Sequence, residues 1–395
     1  MIFIALKIDN LFSFKDVSLD LSIKRKLLNS TIPDEFLEGY ENFSFKKVCI
    51  ISGVNASGKT ALGKLMLDTQ HFILNKEAAP SSLREYICDK TMPGVIEVEF
   101  VLPQSKTLRL HRLKLTVFKD QSIPQIEYSE IPIRSDDTVH AVRRRLDAGD
   151  ASNIVRIVTT PGKEIDALHT FRELVDGTMD HGYGWAYSIS SVTSESLKIP
   201  IPSELLKKEI LEAIVTTFDP SIIKVTENKD ETGKTQAFSL IFNNGDSVVL
   251  DVEGNVTKPD RLSKGTYEAL KVAVFLSRII NHKKICKDSV KNSSFVYYLD
   301  EAMAYVHTEL EQLTLNLLIE HLPRHGQLFY TTHNYDVLDM NLPIHAHVFM
   351  TKNGAGTSIV QPETIVNKND RSLVNYVRND VFNTLPDMTK MEILL

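Results

Sequence analysis

The feature that most constrains this chain is the run Gly53-Val54-Asn55-Ala56-Ser57-Gly58-Lys59-Thr60. The apolar segment Val48-Cys49-Ile50-Ile51 precedes it, lacking the alternation of a half-buried strand, and helical spacing from Thr60 to Leu67 follows. Strand, glycine loop and helix in that order form the setting in which backbone N–H groups converge on an anion. The glycines let the main chain curl, with Asn55, Ala56 and Ser57 between them. Lys59 adds a cation for β- and γ-phosphates, and the Thr60 hydroxyl is a candidate ligand for Mg²⁺. A chain carrying this unit is expected to be α/β, with its loop at the edge of a parallel sheet.

The rest of the 395 residues is patterned to match. Hydrophobic residues are 43% and charged residues 24%, with Gly 17 and Pro 15, which excludes fibrous, low-complexity and wholly disordered classes. Alternation at Ile2, Ile4, Leu6, Ile8 and again at Val17, Leu19, Leu21 predicts a first hairpin. The segments Val95–Val101 and Leu108–Leu115 predict a second antiparallel pair. Between residues 130 and 220 the strand pattern fades, and helical spacing in Ile165–Leu174 and Ser203–Val215 predicts a mainly helical insertion. That divides the chain into 1–129, 130–220 and 221–395. In the last part, Ala237–Phe242 and Ser247–Val252 flank an Asn-Gly turn and predict a hairpin. The helix Thr266–Ile280 follows, then the strands Phe295–Leu299 and Gln327–Tyr330, with the helix Leu310–Leu322 between them as in a parallel β-α-β unit.

Three further places carry chemistry. The strand Phe295–Leu299 ends in Asp300-Glu301; an acid there is suited to hold Mg²⁺ beside the glycine loop, and its neighbour to polarise a water. We assign Asp300 to the metal and Glu301 to the general base. His333 follows the next strand, where an imidazole reaches a γ-phosphate and the attacking water. Leu262-Ser263-Lys264-Gly265 opens a helix; Ser263 is a plain N-cap, or Ser263 and the Gly265 backbone meet a γ-phosphate held by another subunit.

The set Gly53–Thr60, Leu262–Gly265, Asp300-Glu301 and His333, in that order, resembles the ATP-binding-cassette (ABC) ATPase head. The signature reads Leu-Ser-Lys-Gly where transporters usually have Leu-Ser-Gly-Gly, and it lies far downstream of the glycine loop. That spacing resembles the non-transporter branch of RecF, SMC-like and overcoming-lysogenization-defect (OLD) ATPases, as does the opening Leu6–Lys15. The segment Thr332–Asp339 and the tail Asp370-Arg371-Ser372-Leu373 resemble compact ATPases of bacterial abortive-infection and antiphage systems, of the AbiL/RloA type and the AriA component of PARIS. The resemblance implies a P-loop fold of mixed sheets with an antiparallel subdomain, ATP and Mg²⁺ as ligands, and ATP hydrolysis. It also implies homodimers closing over composite ATP sites and further assembly into a higher oligomer. The function expected from it is a nucleotide-dependent switch governing a separate effector, a nuclease or toxin. The alternative is a RecF-like repair ATPase that binds duplex DNA.

Two positions depart from the family pattern. Ala302–His307 is not of the Ser-x-Leu-Asp type, and only Gln104 offers itself for the usual glutamine of the first lobe. The net charge of −6 supplies no whole-molecule field for nucleic acid. Arg143-Arg144-Arg145 reads as a solvated helix face, with nucleic acid or an acidic partner as the second reading. His345 and His347 share a strand face but lack a third metal ligand, and Trp185 reads as core before docking anchor. Three cysteines, no apolar run long enough to span a bilayer and no secretory start predict a cytoplasmic protein without membrane contact.

Overall fold

The computed structural model describes residues 1–24, 30–74, 82–103, 105, 107–149, 154–176, 183–189, 206–252, 256–288, 293–354, 356–366 and 373–384. In chain order the first elements are β1 (Ile2–Asp9), β2 (Val17–Asp20), β3 (Phe36–Leu37), β4 (Tyr40–Ser44), β5 (Val48–Gly53), α1 (Lys59–Leu74), α2 (Ser82–Glu85), β6 (Gly94–Val101), β7 (Arg109–Val117) and β8 (Gln125–Pro132). Then come α3 (Val139–Ala148), β9 (Val155–Val158), α4 (Glu164–Asp176), β10 (Tyr183–Ser188), α5 (Lys208–Phe218), β11 (Ile222–Lys229), β12 (Thr235–Phe242) and β13 (Ser247–Asp251). The last are α6 (Lys264–Asp288), β14 (Ser294–Asp300), α7 (Thr308–His321), β15 (His325–Thr332), β16 (His347–Asn353), β17 (Gly356–Val360) and α8 (Leu373–Arg378).

These strands make an α/β fold of mixed sheets. One sheet has the order β2-β1-β6-β7-β8-β9 and is antiparallel throughout. The other has the order β10-β14-β15-β5-β16-β17, parallel from β10 to β16 and antiparallel only at β17. A three-stranded meander, β11-β12-β13, stands beside them. The Val48–Ile51 run lacks alternation because β5 lies between β15 and β16 and is buried along its whole length.

Alternation across the second sheet separates two cores. Phe295, Tyr297 and Leu299 of β14 join α5, α6, α7 and the meander on one face; Val296 and Tyr298 join α1, α4 and the antiparallel sheet on the other. The sheet is therefore a middle layer, and the loops at its carboxyl ends are left open for a site.

Residues 130–220 hold α3, α4 and α5, and their strands are shared between the two sheets. β9 closes the antiparallel sheet, and β10 pairs with β14 from Tyr183↔Ser294 to Ser188↔Leu299. These strands, of 4 and 6 residues, are too short to show a period in the sequence. Trp185 lies in β10, half-buried with its ring 5.2 Å from that of His71, and so belongs to the core. The arginine run is spent internally: Arg143 bonds Glu99 at 2.6 Å and Asp20 at 3.1 Å, and Arg145 bonds Asp137. Only Arg144 of the three is exposed.

Candidate functional site

Gly53 ends β5 with no room for a side chain: a Cβ there would lie 2.2 Å from the Met350 carbonyl oxygen of β16. The chain turns through Ala56 (φ 61°) and Gly58 (φ 104°), both in the left-handed region, before α1 begins at Lys59. Only glycine adopts that conformation without cost, so Ala56 stores strain at the loop tip. Thr357 fixes the loop from behind, its Oγ1 donating to the Ser57 carbonyl at 3.0 Å while its N–H donates to the Ser13 carbonyl at 2.8 Å. Beneath α1, the Tyr298 hydroxyl donates to the Lys59 carbonyl at 2.6 Å and its ring covers Gly63, where a Cβ would come within 2.6 Å.

The acid-bearing strand end faces this loop. Thr60 Oγ1 donates to Asp300 Oδ2 at 2.7 Å, and Thr331 Oγ1 donates to Asp300 Oδ1 at 2.7 Å. Glu301 takes a positive φ of 46°, its N–H donating to Thr331 Oγ1 at 2.9 Å. That turn directs its carboxylate to Lys59 Nζ at 3.3 Å and to His333 Nε2 at 2.8 Å. The Gly53 carbonyl accepts from Lys59 Nζ at 2.9 Å and approaches His333 Nδ1 at 2.8 Å. The hydrogen bond with His333, aided by the Lys59 charge, holds the Glu301 carboxyl below its ordinary value; burial lowers the Lys59 ammonium, which Glu301 partly restores.

Thus the structure brings Gly53, Gly58, Lys59, Thr60, Asp300, Glu301 and His333 together. A cavity of about 400 Å³ over the loop is lined by Ala56, Ser57, Gly58, Lys59, Thr60 and Glu301. Asn55 is exposed at the tip, and Ser57 Oγ is buried with no hydrogen-bond partner. Phe12, Ser13, Lys64 and Lys352 line the same cavity, and sequence reasoning missed all four. The pairing of Asp300 with Thr331 was missed as well, although its signal, a second threonine ahead of His333, was visible.

Ser263 and Gly265 stand apart from this cluster. Ser263 caps α6, accepting from the Thr266 N–H at 3.1 Å, and Gly265 lies beside the Tyr305 carbonyl. Neither lines the cavity over the loop. Gln104 lies outside the described residues. His345 meets the Glu35 carboxylate at 3.0 Å, while His347 is buried with neither ring nitrogen bonded; no group of three potential ligands could hold a metal among the described residues.

No protein-family model matches the sequence, and no curated protein matches it. Among solved structures, the chain is similar to an Smc head bound to the C-winged helix domain of ScpA, with TM-score 0.45 and 13% identity over 93% of this chain and 100% of that one. It is also similar to a bacterial Atm1-family ABC exporter with ATP bound, with TM-score 0.36 and 11% identity over 95% of this chain, spanning 42% of the exporter's length. No helix among the described residues is long and apolar enough to cross a membrane.

Proposed function

We propose that this chain is an ABC-type ATPase head that binds and hydrolyses ATP. The observation that carries the reading is the convergence of Lys59, Glu301 and His333 beside the Thr60–Asp300 pair, at the mouth of a strained glycine loop. The residues fit a magnesium nucleotide. An orphaned Ser57 hydroxyl faces the loop, and the α1 N-terminus offers the N–H groups that a helix leaves unsatisfied. Thr60 and Asp300 would hold Mg²⁺, which supplies charge neutralisation on the β- and γ-oxygens.

The chain's own groups then divide the work. Lys59 exchanges Glu301 and the Gly53 carbonyl for phosphate oxygens. Glu301, released from Lys59, orients a water and accepts its proton as the oxygen attacks the γ-phosphorus and the bond to the β–γ bridging oxygen breaks, so that ADP leaves. His333 bonds the transferred phosphoryl group. Ser263 and the Gly265 backbone complete the partner's site in a homodimer, since each is placed away from its own loop.

The same reading makes the head a cytoplasmic switch: closure over ATP and opening after hydrolysis hold or release a separate effector, a nuclease or toxin, in antiphage defence. It is supported by the resemblance of Thr332–Asp339 to the antiphage ATPases; Asp370–Ser372 lie outside the described residues. A repair ATPase gripping duplex DNA is the weaker reading, because Arg143 and Arg145 are spent on internal carboxylates. Phosphate release from ATP by the wild type, abolished in Lys59→Ala and Glu301→Gln while Glu301→Gln retains nucleotide, is the expected result. A wild type that hydrolyses no ATP at any protein concentration overturns the proposal.

A further inference from the structure

A second cavity of about 400 Å³ is lined by Glu301 and His333 themselves, and also by Glu311, Tyr330, Thr332 and Asn334. Glu311 comes from the first turn of α7 and is 2% exposed, a depth at which a carboxylate persists only if its oxygens are satisfied. They are. Oε1 accepts from the Tyr330 hydroxyl at 2.6 Å and from Thr332 Oγ1 at 2.8 Å, and Oε2 accepts from Asn334 Nδ2 at 2.8 Å. Thr332 and Asn334 are the two neighbours of His333.

The donors are fixed in their roles. Asn334 Oδ1 accepts from the Asp336 N–H at 3.0 Å, so its amide cannot turn over without losing that cap, and Nδ2 must point at Glu311. Thr332 Oγ1 accepts from the Asn334 N–H at 3.0 Å, which leaves its own hydrogen for Glu311. One carboxylate therefore clamps both residues flanking the imidazole to α7, and Asn334 Nδ2 also donates to Thr308 Oγ1 of that helix at 3.0 Å.

We infer that Glu311 is a positioning residue for hydrolysis, setting where His333 stands relative to Glu301 without touching the nucleotide. The inference rests on the proposed ATPase reading. Because Glu311 does not line the cavity over the glycine loop, its loss slows the chemical step and leaves ATP binding intact. A displacement of about 1 Å at a reacting group lowers a rate by as much as a hundredfold.

The test is a donor–acceptor exchange. In Glu311→Gln a single amide oxygen replaces two carboxylate oxygens, so the new N–H₂ faces either the fixed Asn334 N–H₂ or the Tyr330 and Thr332 hydroxyls and one side of the clamp loses its acceptor; in Asn334→Asp two carboxylates meet. In the double variant, the amide of Gln at 311 donates to the carboxylate at 334, which still caps the Asp336 N–H. Each single change is expected to lower kcat roughly ten- to a hundredfold with the ATP KM within about twofold, and the double variant to recover most of kcat. Asn334→Ala, which breaks the same tie without burying a new charge, decides the matter if a single variant fails to fold. Unchanged kcat in Glu311→Gln or Asn334→Ala, or a folded double variant no faster than the slower single one, overturns the inference. Abolition of wild-type turnover by Glu301→Gln establishes the reaction independently; a wild type without turnover overturns both readings at once.

Discussion

The Lys59 ammonium lies 3.3 Å from the Glu301 carboxylate while the Gly53 carbonyl accepts from the same nitrogen at 2.9 Å. In the proposed site, the cation assigned to phosphate is thus held by the group assigned to water. Removing the carboxylate charge frees Lys59 and removes a repulsion of the triphosphate. Glu301→Gln is expected to bind ATP about tenfold more tightly than wild type, equivalent to losing one charge-assisted contact of about 1.4 kcal/mol. Titration with a fluorescent ATP analogue checks this; equal affinities would show that the Lys59–Glu301 pair does not compete with nucleotide.

Thr60 and Asp300 touch directly, at 2.7 Å, and Thr331 holds the other Asp300 oxygen. A metal entering between Thr60 and Asp300 must replace that hydrogen bond. Asp300→Asn keeps the shape and loses the charge, so the Mg²⁺ concentration for half-maximal ATP hydrolysis is expected to rise about tenfold or more. Thr331→Val is expected to act in the same direction, more weakly. An Asp300→Asn protein with a wild-type Mg²⁺ dependence would remove Asp300 from the metal.

The buried His347 and the half-buried His282 make acid stability a further readout. Burial first, then His345 and Lys46, pushes His347 down to about 3; burial first, then Arg278, pushes His282 down to about 4. Both folded values lie below the unfolded value of about 6.5. The neutral form is favoured by the fold, so the stability each contributes is complete above about pH 6.5 and is lost as pH falls through the window toward 4 and 3. In that window each ring adds a slope of at most about 1.4 kcal/mol per pH unit. Denaturant unfolding between about pH 6 and 4.5 is expected to show a shallower pH dependence in His347→Leu than in wild type. Parallel curves would mean that His347 stays neutral in the unfolded chain or charged in the folded one.

The parts of the site legible in the sequence were those fixed by local geometry. Gly53–Thr60 must curl, and Asp300-Glu301 must emerge where an apolar strand ends, whatever the rest of the chain does. The sharing of strands was hidden, because β9 and β10 are short and their partners lie far away in sequence. Glu311 was hidden for a similar reason. It reads as one acid in the first turn of an ordinary helix, and only the packing of α7 against β15 sets it beside Thr332 and Asn334. The arginine run misled in the opposite sense, since three adjacent cations suggest an open face until Glu99, Asp20 and Asp137 are found opposite them.

The placement of Ser263 bears on how many chains one reaction needs. Ser263 and Lys264 are exposed at the start of α6, a helix of 25 residues whose first N–H groups have no partners within the helix. Lys264 Nζ lies 4.8 Å over the Tyr305 ring, which ties that helix start to the segment following Glu301 in the same chain. The cavity over the glycine loop includes neither Ser263 nor Gly265, and in the proposed homodimer a second copy presents its own to a nucleotide bound there. Lys59→Ala lacks the phosphate cation but keeps Ser263; Ser263→Arg keeps the loop but blocks the helix start. Each alone is expected to be inactive. A heterodimer of the two contains one intact composite site, and heterodimers are half of a random mixture, so mixing is expected to restore about a quarter of wild-type hydrolysis. If differently tagged copies copurify yet the mixture stays as inactive as its components, Ser263 does not act across the dimer and the site is complete within one chain.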